Sequence, residues 1–399
     1  MNILLQTRVK KLLIFSLAYY PRFTSGAEVA IKEITDRIDR NDVEFHMITL
    51  LFDRTDLREE QVGNVLVHRV GWGGAYISKI CFPLLAAFAT RRLHLVHHFD
   101  ALWVMMTYML FPTVLARMLG VTVPYVLTLQ DGDPYEKVFE RWFIRPVAPI
   151  LDYGFRHASI IQTISNFLAT WPLLRGYQGP IEVISNGFSP TSAQEYAPEE
   201  IEQLKQQVGK KEGDVFLISV SRLVHQKGID TIIRALPLLP APIRLLVVGD
   251  GSDRVMLEEL ACELQVSERV VFVGQVDRTM TAKYRKVGDI FVSPSRSEGQ
   301  GIAFLSTMVS GLPVIATQEG GLADFIFDAK RNPDTETTGW AVDKDSPEQI
   351  ARAVEDILAR PEQAQKVVAT ARAYAYEHFD WNVIAHSMRE KVFGQVLTK

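Results

Sequence analysis

Short apolar runs alternate with longer amphipathic segments from one end of the chain to the other. The runs have strand length, whereas segments such as residues 26–40 space their apolar positions as a helix does. This order is typical of parallel sheets covered by helices, so we predict an α/β fold with doubly wound sheets. Strands are predicted at residues 12–20, 43–52, 65–70, 93–99, 124–130, 159–165, 181–185, 214–223, 243–251, 269–276, 289–295 and 312–318.

The alternation is interrupted by a polar segment, residues 186–200, which contains Pro190 and Pro198. A chain of 399 residues is too long for one ordinary core. We therefore predict two domains joined by a hinge in this segment. Ligands of such sheets bind beyond the carboxyl ends of the strands, so the loops that follow the strands are the places to look for chemistry.

Composition and charge narrow the choice of function. Hydrophobic residues make up 47% of the chain, which is enough for large cores, and the net charge of -4 argues against nucleic-acid binding. Cys81 and Cys262 lie far apart in sequence, which favours a reducing compartment and no thiolate metal site. Basic residues slightly outnumber acidic ones in the N-terminal half, which is compatible with a contact to anionic lipid.

Two apolar stretches imitate membrane signals. The first residues of the chain resemble a signal peptide, but no small-residue cleavage site follows, so we predict a buried first strand. Residues 101–116 are apolar but shorter than the roughly 20 residues that a membrane span needs. We predict that they form a buried helix with a kink at Pro112.

A loop with an unusual carboxylate follows the predicted strand 289–295. Gly299 and Gly301 allow backbone amides to approach a ligand closely, and the helix that follows would favour an anion at its N-terminus. A strand-to-helix turn that needs glycine for geometry alone is the alternative. Glu298 would repel a phosphate unless it accepts hydrogen bonds from hydroxyl groups, such as those of a sugar attached to that phosphate.

Two cationic side chains follow the predicted strand 214–223 in one loop. Arg222 offers a planar fork to phosphate oxygens and Lys227 a point charge, and Gly228 comes next. Solvated surface positions are the alternative for both. The apolar edges around Gly274, near the end of the predicted strand 269–276, would suit a planar base.

The order of these motifs resembles a known family. SRLVHQKG, GDGSD, VFVGQV and SPSRSEGQGIAFLSTMVSGLPVIAT follow one another as in the C-terminal domain of the retaining GT-B glycosyltransferases of group 1, or family 4. SGAEVAIKEI resembles the glycine-rich loop of the family's N-terminal domain, and QTISNFLATWPLL and IEVISNGF resemble the segment before the hinge. FDWNVIAHSMREKVF resembles the family's last helix.

The resemblance implies a GT-B fold, in which two Rossmann-like doubly wound domains face a central cleft. The N-terminal, acceptor-binding domain would comprise residues 1–187. The nucleotide-sugar-binding domain would comprise residues 188–378, and a final helix of residues 379–399 would cross back to the N-terminal domain.

The resemblance also implies roles for individual residues. Glu298 and Gln130 would act at the reacting sugar, Glu298 by binding its hydroxyls. Arg222 and Lys227 would hold the diphosphate. Further donor contacts are expected from Gly26, Gly274, Gln275, Val276, Gly299, Gln300, Gly301, Ile302 and Ser306. No metal and no cofactor are expected, because the nucleotide diphosphate sugar is a co-substrate.

Two positions depart from the family pattern. Ser306 stands where the family usually has a second Glu that binds the ribose, and a neutral hydroxyl makes weaker hydrogen bonds than a carboxylate. Gln130 stands where the family often has a His, and Gln cannot titrate.

Asp131 and Asp133 form a D-x-D that we assign to a loop or acceptor role. Packing is the default role for His97 and His98, at the end of a predicted strand.

These observations predict a retaining glycosyltransferase that moves a hexose to a hydroxyl of a glycan or lipid-linked acceptor, in polysaccharide, glycolipid or glycan assembly. The expected location is the cytoplasm, with the inner membrane face as a surface for peripheral contact. The alternatives are a GT-B-like epimerase or phosphorylase and, from another class, a non-catalytic subunit that binds a nucleotide sugar.

Overall fold

The structure, a computed structural model, describes residues 8–74 and 76–398. Residues 1–7, where the segment that imitates a signal peptide begins, lie outside the described residues. The described residues up to Asn186, together with those from Trp381 onward, form one compact unit, and Gly187–Asp380 form a second. Each unit is built on its own, mainly parallel sheet, which confirms the predicted α/β class.

The first unit has eight strands among its described residues, in the order β3-β4-β2-β1-β5-β6-β7-β8. Neighbours run parallel except β3 and β4, which are antiparallel. The strands are β1 (Lys10–Phe15), β2 (Val43–Leu50), β3 (Glu59–Val62), β4 (Val65–Val70), β5 (Ala101–Met105), β6 (Tyr125–Leu129), β7 (Ile160–Thr163) and β8 (Ile181–Val183).

Alternate residues of the central strand β1 enter different cores. Leu12 and Ile14 belong to one buried cluster, and Leu13 and Phe15 belong to another. Both faces of this sheet are therefore covered, which explains why β1 reads as a continuous apolar run. The helices of this part are α1 (Gly26–Thr35), α2 (Tyr76–His97), α3 (Leu110–Met118), α4 (Tyr135–Phe139), α5 (Ala148–Arg156) and α6 (Asn166–Leu174).

Two predicted elements of this unit are wrong. Residues 93–99, predicted as a strand, are mostly the last turns of α2. Residues 101–116, predicted as one kinked helix, begin with the fully buried strand β5 and reach an α-helix only at Leu110, after a 3-10 turn at Thr107–Met109. Short apolar runs have the same appearance in a buried strand and in a buried helix, so periodicity alone did not separate them.

The second unit has six parallel strands among its described residues, in the order β11-β10-β9-β12-β13-β14. The strands are β9 (Val215–Val220), β10 (Ile243–Val248), β11 (Val270–Gly274), β12 (Ile290–Ser293), β13 (Val314–Ala316) and β14 (Trp340–Ala341). The helices are α7 (Pro198–Gln207), α8 (Ile229–Ala235), α9 (Arg254–Glu263), α10 (Arg278–Val287), α11 (Ile302–Ser310), α12 (Pro347–Ala359) and α13 (Pro361–Phe379).

The end of the chain returns to the core of the first unit. It consists of α14 (Trp381–Ser387), a π-helical segment (Met388–Phe393) and α15 (Gly394–Leu397). The ring of Phe393 lies edge-on to Trp103, with centroids 5.0 Å apart, and a guanidinium nitrogen of Arg389 lies 2.7 Å from a carboxylate oxygen of Asp42. These contacts hold the last helical segment to the sheet of residues 8–186.

Candidate functional site

The loop after β9 passes against the loop after β12. His225–Lys227 form a 3-10 turn, and Gly228 follows it with φ +66°. A Cβ atom on Gly228 would lie 2.3 Å from the carbonyl oxygen of Pro294. Because both the backbone conformation and the space at position 228 require glycine, the two loops can approach each other this closely only with glycine there.

Arg296 ties the same two loops together. Its backbone N–H donates to the carbonyl of Gln226 at 2.7 Å, and its guanidinium donates to both carboxylate oxygens of Asp230, at 2.9 and 2.7 Å. It also donates to the carboxylate of Asp345 at 2.7 Å. Burial alone would raise the pKa of Asp230, but the hydrogen bonds and charge of Arg296 hold that pKa below its usual value.

The consequence is that Lys227 and Glu298 come together. The Nζ atom of Lys227 lies 2.5 Å from Oε2 of Glu298, and the side chains are only 17% and 15% exposed. Sequence reasoning singled out both residues but assigned them to different groups of the ligand. It missed Arg296. The signal that could have found this residue is its position, two residues before Glu298 in the same loop.

Arg222 stands apart from this ion pair. It is exposed, and in the described part of the chain its guanidinium makes no hydrogen bond or ion pair. It lies in the same strand-to-helix connection as Lys227, between β9 and α8. An unengaged guanidinium at the carboxyl end of a parallel strand is available for an anionic ligand.

The backbone of Glu298 is held in place by two consecutive glycines, Gly320 and Gly321. Gly320 has φ +63°, and a Cβ atom there would lie 2.0 Å from the carbonyl oxygen of Glu298. The N–H of Gly321 donates to that same oxygen at 3.0 Å. The segment after β13 therefore holds the backbone of the loop that carries Glu298, whereas Lys227 comes from the loop after β9.

The remaining predicted donor residues of this unit lie between β12 and the start of α11, or at the end of β11 and just after it. Gly299 and Gln300 are buried, Gly301 is the N-cap of α11, and Ile302 is the first residue of that helix. Gly274 ends β11 and accepts a hydrogen bond from the N–H of Gly249 at 2.9 Å. Gln275 is exposed and Val276 is half-buried.

Ser306 is engaged within the protein. It lies in α11, is 1% exposed, and its hydroxyl accepts a hydrogen bond from the backbone N–H of Ser189 at 3.0 Å. Its predicted contact with a ribose stays a prediction; the hydrogen bond from Ser189 uses one acceptor position of the hydroxyl and leaves its O–H as a donor.

Two predicted residues belong to the first unit. Gly26 begins α1 after the N-cap residue Ser25. Gln130 follows β6 and forms a reciprocal pair of amide hydrogen bonds with the buried Asn186, at 3.0 and 3.3 Å. This pairing fixes the orientation of the Gln130 amide.

Next to Gln130 lies a buried carboxyl group. Asp131 accepts a hydrogen bond from the hydroxyl of Thr107 at 3.0 Å. Burial raises the pKa of Asp131 to about 6. Asp133 is different, since its exposed carboxylate pairs with the ammonium of Lys137 at 2.7 Å.

A group of side chains in the first unit has the composition of a metal site. Atoms of Glu44, His46 and His97 that could bind a metal ion all lie within 4.8 Å of one another, and His97 lies at the end of a helix, not of the predicted strand. Burial lowers the pKa of His46, and its imidazole contacts Glu44 at 2.6 Å and His68 at 3.1 Å. None of the predicted donor residues belongs to this group. The ammonium of Lys11 lies 3.2 Å from the carboxylate of Glu44 and competes with a metal ion for it.

The helices of the described residues also bear on contact with a membrane. None of them combines the length and the hydropathy that a membrane-crossing segment requires.

Both units match families of known proteins. Residues 25–187 match the glycosyl transferase 4-like domain, and residues 200–374 match the glycosyl transferases group 1. A GDP-mannose-dependent alpha-(1-6)-phosphatidylinositol monomannoside mannosyltransferase of Mycolicibacterium smegmatis is 28% identical, over 53% of this chain and 59% of its own. An alpha-monoglucosyldiacylglycerol synthase of Streptococcus pneumoniae is 30% identical, over 54% of this chain and 50% of its own. The chain thus spans about half the length of the curated relatives it matches.

A solved structure resembles the whole chain. The crystal structure of HepE of Anabaena in complex with UDP-glucose matches with a TM-score of 0.76 and covers 96% of this chain and 99% of that one. The two chains are 19% identical, so the likeness concerns the fold alone. It confirms the predicted GT-B fold.

Proposed function

Because the chain belongs to the group 1, family 4 glycosyltransferases, we propose that it transfers a hexose from a nucleotide diphosphate sugar to an acceptor hydroxyl. The observation that carries this proposal is the contact of Lys227 with Glu298. A cation for phosphate and a carboxylate for sugar hydroxyls lie side by side, as a phosphate-linked sugar would require.

The chemistry follows from the charge that develops on the leaving group. When the glycosidic bond to the diphosphate breaks, negative charge builds on the phosphate oxygens, and fixed cations stabilise it. Lys227 is held by its ion pair and by the loop contacts of Gly228, while Arg222 is unengaged. Two side-chain cations can supply this stabilisation, so the proposal includes transfer without a metal ion.

The stereochemistry and the acceptor belong to the same proposal. We infer retention by attack from the face that the diphosphate leaves, with a phosphate oxygen taking the proton of the acceptor hydroxyl. The acceptor is a glycan or a lipid-linked molecule, and two relatives whose names include a lipid, phosphatidylinositol monomannoside and monoglucosyldiacylglycerol, support the second. The corresponding location is the cytoplasm, at the inner membrane face.

Ser306 favours a second candidate function. Its hydroxyl is buried against Ser189, and the carboxylate that the family usually offers to the ribose is missing at this position. A chain with a weakened nucleotide contact could bind a nucleotide sugar without turning it over. A non-catalytic donor-binding subunit is therefore the alternative to the transferase.

A hydrolysis assay separates the two functions. Thermal shift against uridine, guanosine and adenosine diphosphate sugars first identifies a donor, and release of nucleotide diphosphate is then measured without acceptor. We expect slow release by the wild type and weaker donor binding by Lys227→Met, with Lys330→Met, at an exposed lysine, as the control. Donor binding without release, with every acceptor tried, would identify the subunit, and no shift with any donor would refute both functions.

A further inference from the structure

Helix α2 exposes an apolar face to solvent. Tyr76, Ile80, Leu84 and Phe88 follow one another at intervals of four residues and therefore lie along one side of the helix. Their exposed fractions are 78%, 64%, 53% and 60%. Ile77 and Leu95 are exposed as well, at 64% and 65%. We call these six residues the α2 apolar face.

A helix that only covers a sheet needs apolar residues on the side that packs against it, and the exposed apolar residues of α2 lie elsewhere. The side of α2 that packs on the protein is formed by smaller or buried residues, among them Ser78, Phe82, Ala86 and Thr90. Single exposed apolar residues are common on protein surfaces, but a continuous row of large ones usually marks a binding surface. Packing in the core of the first unit therefore does not account for the exposed residues of the α2 apolar face.

The charges on α2 are all of one sign. Its 22 residues include no Asp or Glu, and the exposed positions outside the apolar face are Lys79, Arg91, Arg92 and Val96. An exposed apolar row with basic residues beside it and no acidic residue in the same helix is typical of surfaces that lie in the interface of an anionic bilayer.

Basic side chains continue beside the helix. A groove along its C-terminal half is lined by Arg58 and Arg92 and by the buried Arg69, whose guanidinium pairs with Glu60 at 2.7 Å; Glu59 is the acidic residue at its wall. Trp72, which lies just before α2 and is half exposed, lines the same groove. Tryptophan and arginine at the edge of an apolar surface suit the level of lipid headgroups.

We propose that α2 lies in the surface of an anionic membrane, with the α2 apolar face in the acyl boundary and its basic residues at the headgroups. The helix binds along the surface and does not cross the bilayer. The proposal concerns the first unit only and does not require that the protein transfer a sugar.

Vesicle sedimentation tests this surface with the full chain. The wild type is expected to sediment with vesicles of phosphatidylcholine and phosphatidylglycerol, and much less with phosphatidylcholine alone. Ile80→Glu with Phe88→Glu should lower the bound fraction about tenfold or more, and Lys79→Glu with Arg92→Glu should do so most strongly at low salt. Arg91 is left unchanged because its guanidinium bonds the carbonyl of Leu119.

A matched control keeps the test independent of general surface changes. Val255→Glu replaces an apolar residue of the second unit that is 65% exposed, nearly the same as Ile80, and should bind vesicles as the wild type does. Circular dichroism shows that each variant is folded. Wild-type protein that binds neither vesicle, or Ile80→Glu with Phe88→Glu binding as wild type, would overturn the proposal. So would a dimer in sedimentation velocity that these substitutions dissociate while vesicle binding stays absent, since a second copy would then cover the face.

Discussion

The ammonium of Lys227 and the carboxylate of Glu298 are 71 residues apart in sequence and 2.5 Å apart in the structure. Both side chains are mostly buried, so each depends on the other for compensation of its charge. A ligand that takes over one of these groups must compensate the other as well. A phosphate next to sugar hydroxyls meets this condition.

Loss of the carboxylate should abolish transfer. Glu298→Ala removes the proposed partner of the sugar hydroxyls and leaves the Lys227 ammonium without its ion pair. We expect turnover to fall by about a hundredfold or more, measured as nucleotide diphosphate release with donor and acceptor. Glu319→Ala, which removes a more exposed carboxylate paired with Lys344 at 3.6 Å, is the control and should retain activity. Near-wild-type turnover of Glu298→Ala would show that the carboxylate has no role in the reaction.

The glycine beside Glu298 should matter more than its backbone conformation alone explains. Gly320→Ala places a Cβ atom 2.0 Å from the carbonyl oxygen of Glu298, whereas Gly311→Ala meets nothing within 4 Å. Both positions have positive φ, which costs about 1–2 kcal/mol for alanine. We therefore expect both variants to melt at lower temperature, and only Gly320→Ala to show a raised KM for the donor. Equal effects of the two substitutions on KM would contradict the assignment of the Glu298 loop to the donor.

Ser306→Ala tests what this hydroxyl does. Removal of the acceptor for the Ser189 N–H should lower the free energy of unfolding by about 1–3 kcal/mol, as measured by urea denaturation. Since the hydroxyl is 1% exposed and already engaged, we expect no change in KM for the donor. Ser310→Ala, in the same helix, is the control for the loss of a buried hydroxyl. A raised KM with unchanged stability would instead support the predicted ribose contact.

The buried carboxyl of Asp131 should make stability depend on pH. Its folded pKa of about 6 lies above the ordinary value of 3.8, so between these values the folded protein binds more protons than the unfolded chain. The contribution of Asp131 is therefore favourable at low pH and is lost as pH rises through about 6. Asp131→Asn cannot titrate, and relative to the wild type it should gain about 3 kcal/mol between about pH 4 and pH 8.

Urea denaturation of both proteins at several pH values measures this difference. Asp133→Asn is the control, because the Asp133 carboxylate is exposed and paired with Lys137. A constant difference between Asp131→Asn and the wild type across the pH range would show that the Asp131 carboxyl titrates normally in the folded protein.

Parts of the fold and of the candidate site could be read from local patterns. The alternation of apolar runs and amphipathic segments predicted two doubly wound sheets, because strand and helix periodicities are properties of neighbouring residues. The rule that ligands bind at the carboxyl ends of parallel strands directed attention to Arg222, Lys227 and Glu298. Where a run was apolar throughout, as at residues 101–116, the local pattern failed.

The sequence by itself determined the type of fold and the family, and it selected the loops to which we assign the chemistry, since these depend on residue types at short spacing. Only the tertiary structure decided that Lys227 pairs with Glu298, that Arg296 ties their loops together, and that the hydroxyl of Ser306 is taken by Ser189. It also decided that the six residues of the α2 apolar face are exposed to solvent and do not pack in the core. Each of these facts depends on which distant segments the sheets bring side by side, and that is set by strand order and packing, which no local spacing contains.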